Sequence, residues 1–165
     1  MALSAWIEFI GDNMIAIVQR VDSASVTVNG EVKGKANKGL LVLVGVGDGD
    51  NTADAELLAS KVANLRIFTD ENDKMNLSSL DIGGEILAIS NFTLMADTKK
   101  GNRPSFIGAM EPVGANALYE HFCESLKNNG IKSVEKGVFG ADMHISAALS
   151  GPVTITLNTD TWRKK

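Results

Sequence analysis

The chain carries one cysteine, three prolines and two histidines in 165 residues, and each scarcity excludes something. A single thiol, Cys123, forms no internal disulfide and fits a reducing compartment, so a cytoplasmic location is expected. Two isolated histidines and one thiol offer no zinc spacing, and no metal or cofactor is expected. Positive charge is also short. Sixteen Lys and Arg against 20 Asp and Glu leave a net charge of −4, which argues against binding along a nucleic-acid duplex, where many phosphates must be neutralised. Gripping one end of an RNA is not excluded. No apolar run approaches the ~20 residues of a membrane helix, so no membrane partner is expected. The apolar opening 1–10 lacks a basic start and carries Glu8, which makes it a poor signal peptide.

What is present describes one ordinary globular domain. The apolar fraction is 44% and the charged fraction 22%, and the length suits one sizeable core better than two. Residues 14–21 and 23–28 read as successive strands, and Asn29-Gly30 is a strong hairpin signal leading into Glu31-Val32-Lys33. The continuous apolar run 40–46 predicts a strand covered on both faces. Asn51 and Thr52 are candidate N-caps for a helix to about Leu65, with Ala55, Leu58, Val62 and Leu65 on one face. Residues 85–92 read as a central strand, followed by an irregular stretch over 95–111. A second helix is expected from Pro112 to Asn129, burying Leu118, Phe122 and Leu126, with Gly130 as its stop. Segments 131–136, 143–149 and 153–157 complete the strands, the last two read as separate runs around Gly151-Pro152. An ordinary tight turn is the default reading of that dipeptide, because only about 5–6% of X-Pro bonds are cis.

The pattern predicts a single α+β domain with a barrel-like, mostly antiparallel sheet and two main helices. Met14 opens the strand pattern, so residues 1–13 are expected to be an N-terminal extension or a remnant of cloning. Residues 14–158 form the expected domain and 159–165 a basic tail.

Familiar catalytic motifs are missing. Gly45-Val46-Gly47-Asp48-Gly49-Asp50 lacks the Lys-Ser/Thr of a phosphate loop and the last glycine of a dinucleotide fingerprint. Asp48, Asp50 and Asp54 resemble a calcium loop only superficially, since Ala53 and Ala59 stand where its glycine and glutamate belong. His121 and His144 read as packing or surface residues, and no nucleophile elbow is present. What remains is Ser90-Asn91-Phe92-Thr93-Leu94, where a buried strand opens into the longest loop. Two hydroxyls, an amide and freshly unpaired backbone N–H groups suit an oxyanion-binding pocket. Lys99, Lys100 and Arg103 form one basic cluster, and Arg163-Lys164-Lys165 another. Such charges serve solubility or an RNA contact, and the sequence leaves both open.

The run Ser90-Asn91-Phe92-Thr93-Leu94-Met95-Ala96-Asp97-Thr98, followed by Gly101-Asn102-Arg103-Pro104-Ser105-Phe106, resembles the D-aminoacyl-tRNA deacylase family, also called D-tyrosyl-tRNA deacylase. So do Met14-Ile15-Ala16-Ile17-Val18-Gln19-Arg20-Val21, Asn64-Leu65-Arg66-Ile67-Phe68 and Lys74-Met75-Asn76-Leu77-Ser78. Phe139-Gly140-Ala141-Asp142-Met143 and Gly151-Pro152-Val153-Thr154 complete the set, in family order. Two departures stand out: Asn91 replaces the family's usual glutamine, and Leu149-Ser150 precedes Gly-Pro where an Asn-Asp or similar pair is common.

The resemblance implies hydrolysis of the ester joining a D-amino acid to the terminal adenosine of tRNA. In family terms Ser90, Asn91, Phe92 and Thr93 form the catalytic segment, with backbone N–H groups near Phe92 and Thr93 holding the ester carbonyl. The RNA's own 2′-hydroxyl would assist water, with a Thr93 nucleophile as the older alternative. Gly151-Pro152, joined by a cis bond in the family, would enter the partner's active site in a homodimer and exclude L-residues sterically. Arg20 would brace that pair. Achiral glycine would pass, so the 3′ ends of both D-aminoacyl-tRNA and glycyl-tRNA are the expected partners, with Lys99, Lys100 and Arg103 as RNA contacts. The competing expectations are a non-catalytic RNA-end module and a general esterase.

Overall fold

The computed structural model describes residues 13–163; the expected N-terminal extension lies outside the described residues except for Asn13, as do Lys164 and Lys165 of the tail. The long first strand, β1 (Ile15–Val28), turns through Asn29 and Gly30 into β2 (Glu31–Ala36). Both turn residues have positive φ, 51° and 77°, as the two-residue hairpin signal requires. Strand β3 (Gly39–Gly45) returns along the first half of β1, antiparallel, so one edge of β1 carries β3 and then β2 in succession.

Helix α1 (Thr52–Asn64) follows. The Asn51 side chain accepts from the Asp54 N–H and the Asp54 carboxylate accepts from the Asn51 N–H, a reciprocal cap that fixes where the helix begins. A small antiparallel pair, β4 (Phe68–Thr69) and β5 (Met75–Leu77), and one short helix, α2 (Ser79–Ile82), lead to β6 (Glu85–Ser90). After the 3-10 turn Phe92–Met95 and a long loop come α3 (Pro112–Asn128), β7 (Val134–Lys136) and β8 (His144–Asn158).

The main sheet is mixed: β1 pairs antiparallel with β2, β3 and β8, and two further pairings are parallel. Strand β3 pairs β6 in parallel, and β6 pairs β7 in parallel. The reason is connectivity: α1 with its following short elements, and then α3, are crossovers long enough to return the chain to the same end of the sheet. Strand β2 leans back against β6 and β7, where the Lys35 N–H donates to the Glu135 carboxylate at 2.9 Å. The sheet is thereby nearly closed.

Period-two alternation divides the apolar strand residues between two cores. Leu40, Val42, Val44, Ile86 and Ala88 face α1 and α3, meeting Leu58, Val62, Phe122 and Leu126. Leu41, Leu87 and Ile89 point the other way, into a smaller cluster with Val21, Ala24, Val26 and Ala36. The run 40–46 is therefore apolar throughout because β3 is covered on both faces, as expected.

The C-terminal strands correct the expectation. Residues 143–149 and 153–157 are not two strands joined by a turn. From His144 onward they belong to one strand, β8, and both halves pair antiparallel with β1. Val21 stands opposite Leu149 and Gln19 opposite Thr154, so Ser150, Gly151, Pro152 and Val153 face Arg20 alone and are extruded as a bulge. Proline lacks the N–H that a continuous ladder would demand, and a bulge is where a strand tolerates it.

Candidate active site

Three segments far apart in sequence converge on one cleft of about 800 Å³. Ser90, Asn91, Phe92 and Thr93 arrive at the end of β6, Phe106 to Pro112 bring the loop before α3, and Phe139 to Met143 supply the far wall. The first group is the set expected from sequence, and all four of its members line the cleft. Sequence reasoning assigned no site role to 139–143, although that block was among those resembling the family. Its signal is a glycine-containing stretch between two apolar residues, too common to single out alone.

Strand β6 is held in place from below. The Tyr119 hydroxyl of α3 donates to the Ala88 carbonyl at 2.7 Å in a buried position, and burial pushes the pKa of that phenol up, so it keeps its proton. Above Ala88 the Asn91 N–H still donates to Val44 O at 2.8 Å, after which the ladder ends. The chain then winds into the turn Phe92–Met95 instead of extending the strand to residue 92. This close wrap depends on Gly45: a Cβ there would lie 2.9 Å from Leu94 Cβ and 3.0 Å from Met95 Sδ.

Asn91 caps the turn. Its Oδ1 accepts from the Thr93 N–H at 3.1 Å and from the Thr93 hydroxyl at 2.5 Å. Of the two backbone donors expected to hold a carbonyl oxygen, that of Thr93 is thus engaged, while that of Phe92 has no partner among the described residues. A first-turn N–H has no intrahelical acceptor, which leaves it to a ligand or water. The Thr93 hydroxyl faces an amide oxygen, which is too weak a base to take its proton. Phe92 is 58% exposed, and its ring meets that of Phe106 edge-on, with centroids 4.9 Å apart. These two rings give the cleft an aromatic lip.

The remaining expected residues lie away from this cleft. Lys99, Lys100 and Arg103 are exposed on an excursion closed at its base by paired bonds between Asp97 and Ser105. Gly151 and Pro152 are exposed on the β8 bulge, joined by a cis peptide bond. Arg20 lies beneath the bulge: Nε donates to Ser150 O at 3.3 Å and a terminal nitrogen donates to Ile67 O at 2.8 Å. His121 sits beside Glu56 at 2.9 Å on the outer face of the helices, and His144 is exposed. Both are surface residues outside the cleft lining.

A family model described as D-Tyr-tRNA(Tyr) deacylase matches residues 17–158. The chain is 54% identical over 147 residues to the D-aminoacyl-tRNA deacylase of Halothermothrix orenii, covering 89% of this chain and 98% of that protein. It is 53% identical over 146 residues to the D-aminoacyl-tRNA deacylase of Thermodesulfovibrio yellowstonii, covering 88% and 99%. Among solved structures, one titled c-Myc DNA Unwinding Element Binding Protein superposes with a TM-score of 0.82 at 41% identity, over 87% of this chain and 97% of that one. A probable eukaryotic D-amino acid tRNA deacylase shares the fold, with a TM-score of 0.75 at 17% identity over 88% and 99%.

Proposed function

The chain belongs to the D-Tyr-tRNA(Tyr) deacylase family, and we propose that it hydrolyses the ester linking a D-amino acid to the 3′ end of tRNA. The observation that carries this reading is the cleft at the end of β6, where the unpartnered Phe92 N–H stands between an aromatic lip and a largely apolar wall. An aminoacyl ester is already activated by its neighbouring 2′-hydroxyl, so positioning and stabilisation of the developing oxyanion suffice. Phe92 N–H holds the ester carbonyl, Asn91 and Thr93 keep the turn wound, Ser90 lines the cleft, and the RNA 2′-hydroxyl assists the attacking water.

Stereochemical selection falls to Gly151-Pro152 of a second copy. Both residues are exposed and neither lines the cleft of its own chain, so a homodimer with two-fold symmetry is the arrangement that brings them to substrate. The first half of β8 suits such a partner, since residues 144–149 are exposed although paired with β1, with Ile145 at the cleft edge and Leu149 beside the bulge 40% and 48% exposed. Carbonyls of the Gly-Pro bulge then leave room for hydrogen where an L-residue carries its side chain. Glycine, lacking that side chain, passes, which makes glycyl-tRNA a second substrate. Lys99, Lys100 and Arg103 meet the tRNA backbone near its end, and a tRNA substrate places the protein in the cytoplasm. Residues 14–158 constitute the deacylase domain in this reading.

Release of D-tyrosine from D-tyrosyl-tRNA, with L-tyrosyl-tRNA untouched and glycyl-tRNA cleaved, is the expected result for the purified protein. Replacing the terminal 2′-hydroxyl with hydrogen should slow release by orders of magnitude. Binding without release would instead make the chain an RNA-end module. Equal turnover of a simple D-tyrosine ester lacking the hydroxyl would make it a general esterase.

A further inference from the structure

The loop before α3 forms one wall of the cleft. It hangs from the segment after β3: the Asp48 N–H donates to Gly108 O at 2.9 Å, and the Met110 N–H donates to Val46 O at 3.0 Å. Between them Gly47 bridges Ala109. Ala109 and Met110 line the cleft, and the Ala109 N–H donates to the carbonyl of Phe106, whose ring forms the lip with Phe92.

That supporting segment is itself tied down by a carboxylate. Asp50 Oδ2 accepts from the Gly47 N–H at 2.6 Å, and the Asp50 side chain is 0% exposed. Its other oxygen lies 3.2 Å from a terminal nitrogen of Arg163. The same nitrogen lies 2.9 Å from Asp54 Oδ1, whose side chain is 9% exposed. One guanidinium therefore pairs with two largely buried acids, one holding the Gly47 turn and the other capping α1. Removing a cation that two desolvated carboxylates share weakens the hold on both. Arg163 lies beyond the stretch 17–158 that the family model matches.

We propose that Arg163 and Asp50 are positioning residues: the C-terminal guanidinium, through Asp50 and Gly47, sets the wall of the cleft that grips the aminoacylated 3′ end. The part played at the cleft rests on the deacylase reading; the mechanical link does not. Because the oxyanion donor Phe92 N–H sits on a different element, loosening this wall weakens the grip on substrate more than the chemical step.

Two readouts on the full chain test this. In Arg163→Gln, amide hydrogen exchange at Asp48 and Met110 should quicken at least tenfold while that of Leu43 and Ile86, in the central ladder, is unchanged. KM for D-tyrosyl-tRNA should rise about tenfold with kcat within twofold. Arg163→Lys, which keeps the charge and the fold but only one donor group, should fall between Gln and the native residue in both. Trp162→Ala removes the neighbouring tail contact over Lys61 without touching the acids, and should leave KM and the two amides unmoved. Unchanged exchange in both Arg163 variants, or the same KM change in Trp162→Ala, would overturn the proposal. Hydrogen exchange reads the link even if the native protein releases no D-tyrosine, an outcome that would sink the deacylase reading alone.

Discussion

Arg20 donates to the carbonyl of Ser150 across the one place where four residues of β8 face a single residue of β1. Its second bond, to Ile67 O, ties the bulge to the segment just before β4. The bulge is therefore braced from beneath while its outer surface stays exposed. Such a feature can be rigid and still be offered to another molecule.

Gly151 cannot be replaced without disturbing that brace. Its φ is +118°, and a Cβ would lie 2.9 Å from Val153 Cγ2 and 3.0 Å from the Arg20 guanidinium. Alanine at this position should cost about 1–3 kcal/mol of strain and shift the Gly-Pro carbonyls. The expected result is at least a tenfold loss of D-over-L selectivity, measured as the ratio of release rates from D- and L-tyrosyl-tRNA. An unchanged ratio in Gly151→Ala would remove this bulge as the selecting element.

Thr93→Ala distinguishes RNA-assisted hydrolysis from a threonine nucleophile. The substitution deletes the hydroxyl bond to Asn91 Oδ1 but keeps the backbone bond from the Thr93 N–H, so the turn stays capped. Single-turnover release should remain within about tenfold of the native rate, since one ordinary hydrogen bond is worth about 1 kcal/mol. Total loss, with fold and oligomeric state intact, would return the nucleophile to the hydroxyl.

Alkaline pH should destabilise the fold through Cys123. Burial, with a smaller contribution from the Glu120 charge, pushes its thiol up from 9.0 to about 12. Below pH 9 the thiol is protonated in both states and costs nothing. Between about pH 9 and pH 12 the unfolded chain has lost the proton that the folded chain still binds, so stability falls as pH rises. The slope is at most about 1.4 kcal/mol per pH unit. The Tyr119 phenol, also raised by burial, acts in the same direction at higher pH. Urea midpoints should drop between pH 8 and pH 10.5, and Cys123→Ala should flatten that drop. Parallel profiles for the two proteins would show that the thiol does not carry it.

Parts of this fold could be read directly along the chain because they depend on near neighbours. Asn51 caps α1 and Asn29-Gly30 turns the first hairpin through contacts within a few residues. The run 40–46 announced a strand buried on both faces. Short elements without a period escaped: β4, β5 and α2 span two to four residues each, too few for alternation to register. The continuity of β8 escaped as well, since Gly-Pro punctuates strands and turns alike and only the shared partner β1 distinguishes them. At the cleft, Ser90 to Thr93 were legible as a polar strand end, whereas Phe139 to Met143 join it through packing alone.

By itself the sequence determined the local caps and turns and which strand residues are apolar on both sides, since spacing and short motifs are properties of neighbours along the chain, and its motif blocks carried the resemblance to the family. Only the tertiary structure decided that β3, β6 and β7 run parallel, that Gly151-Pro152 bulges over Arg20, and that Arg163 closes on Asp50 and Asp54. Those relationships join residues that lie tens of positions or more apart. Hydrogen-bond geometry and the cost of burying unpaired charge select them only once the chain has folded.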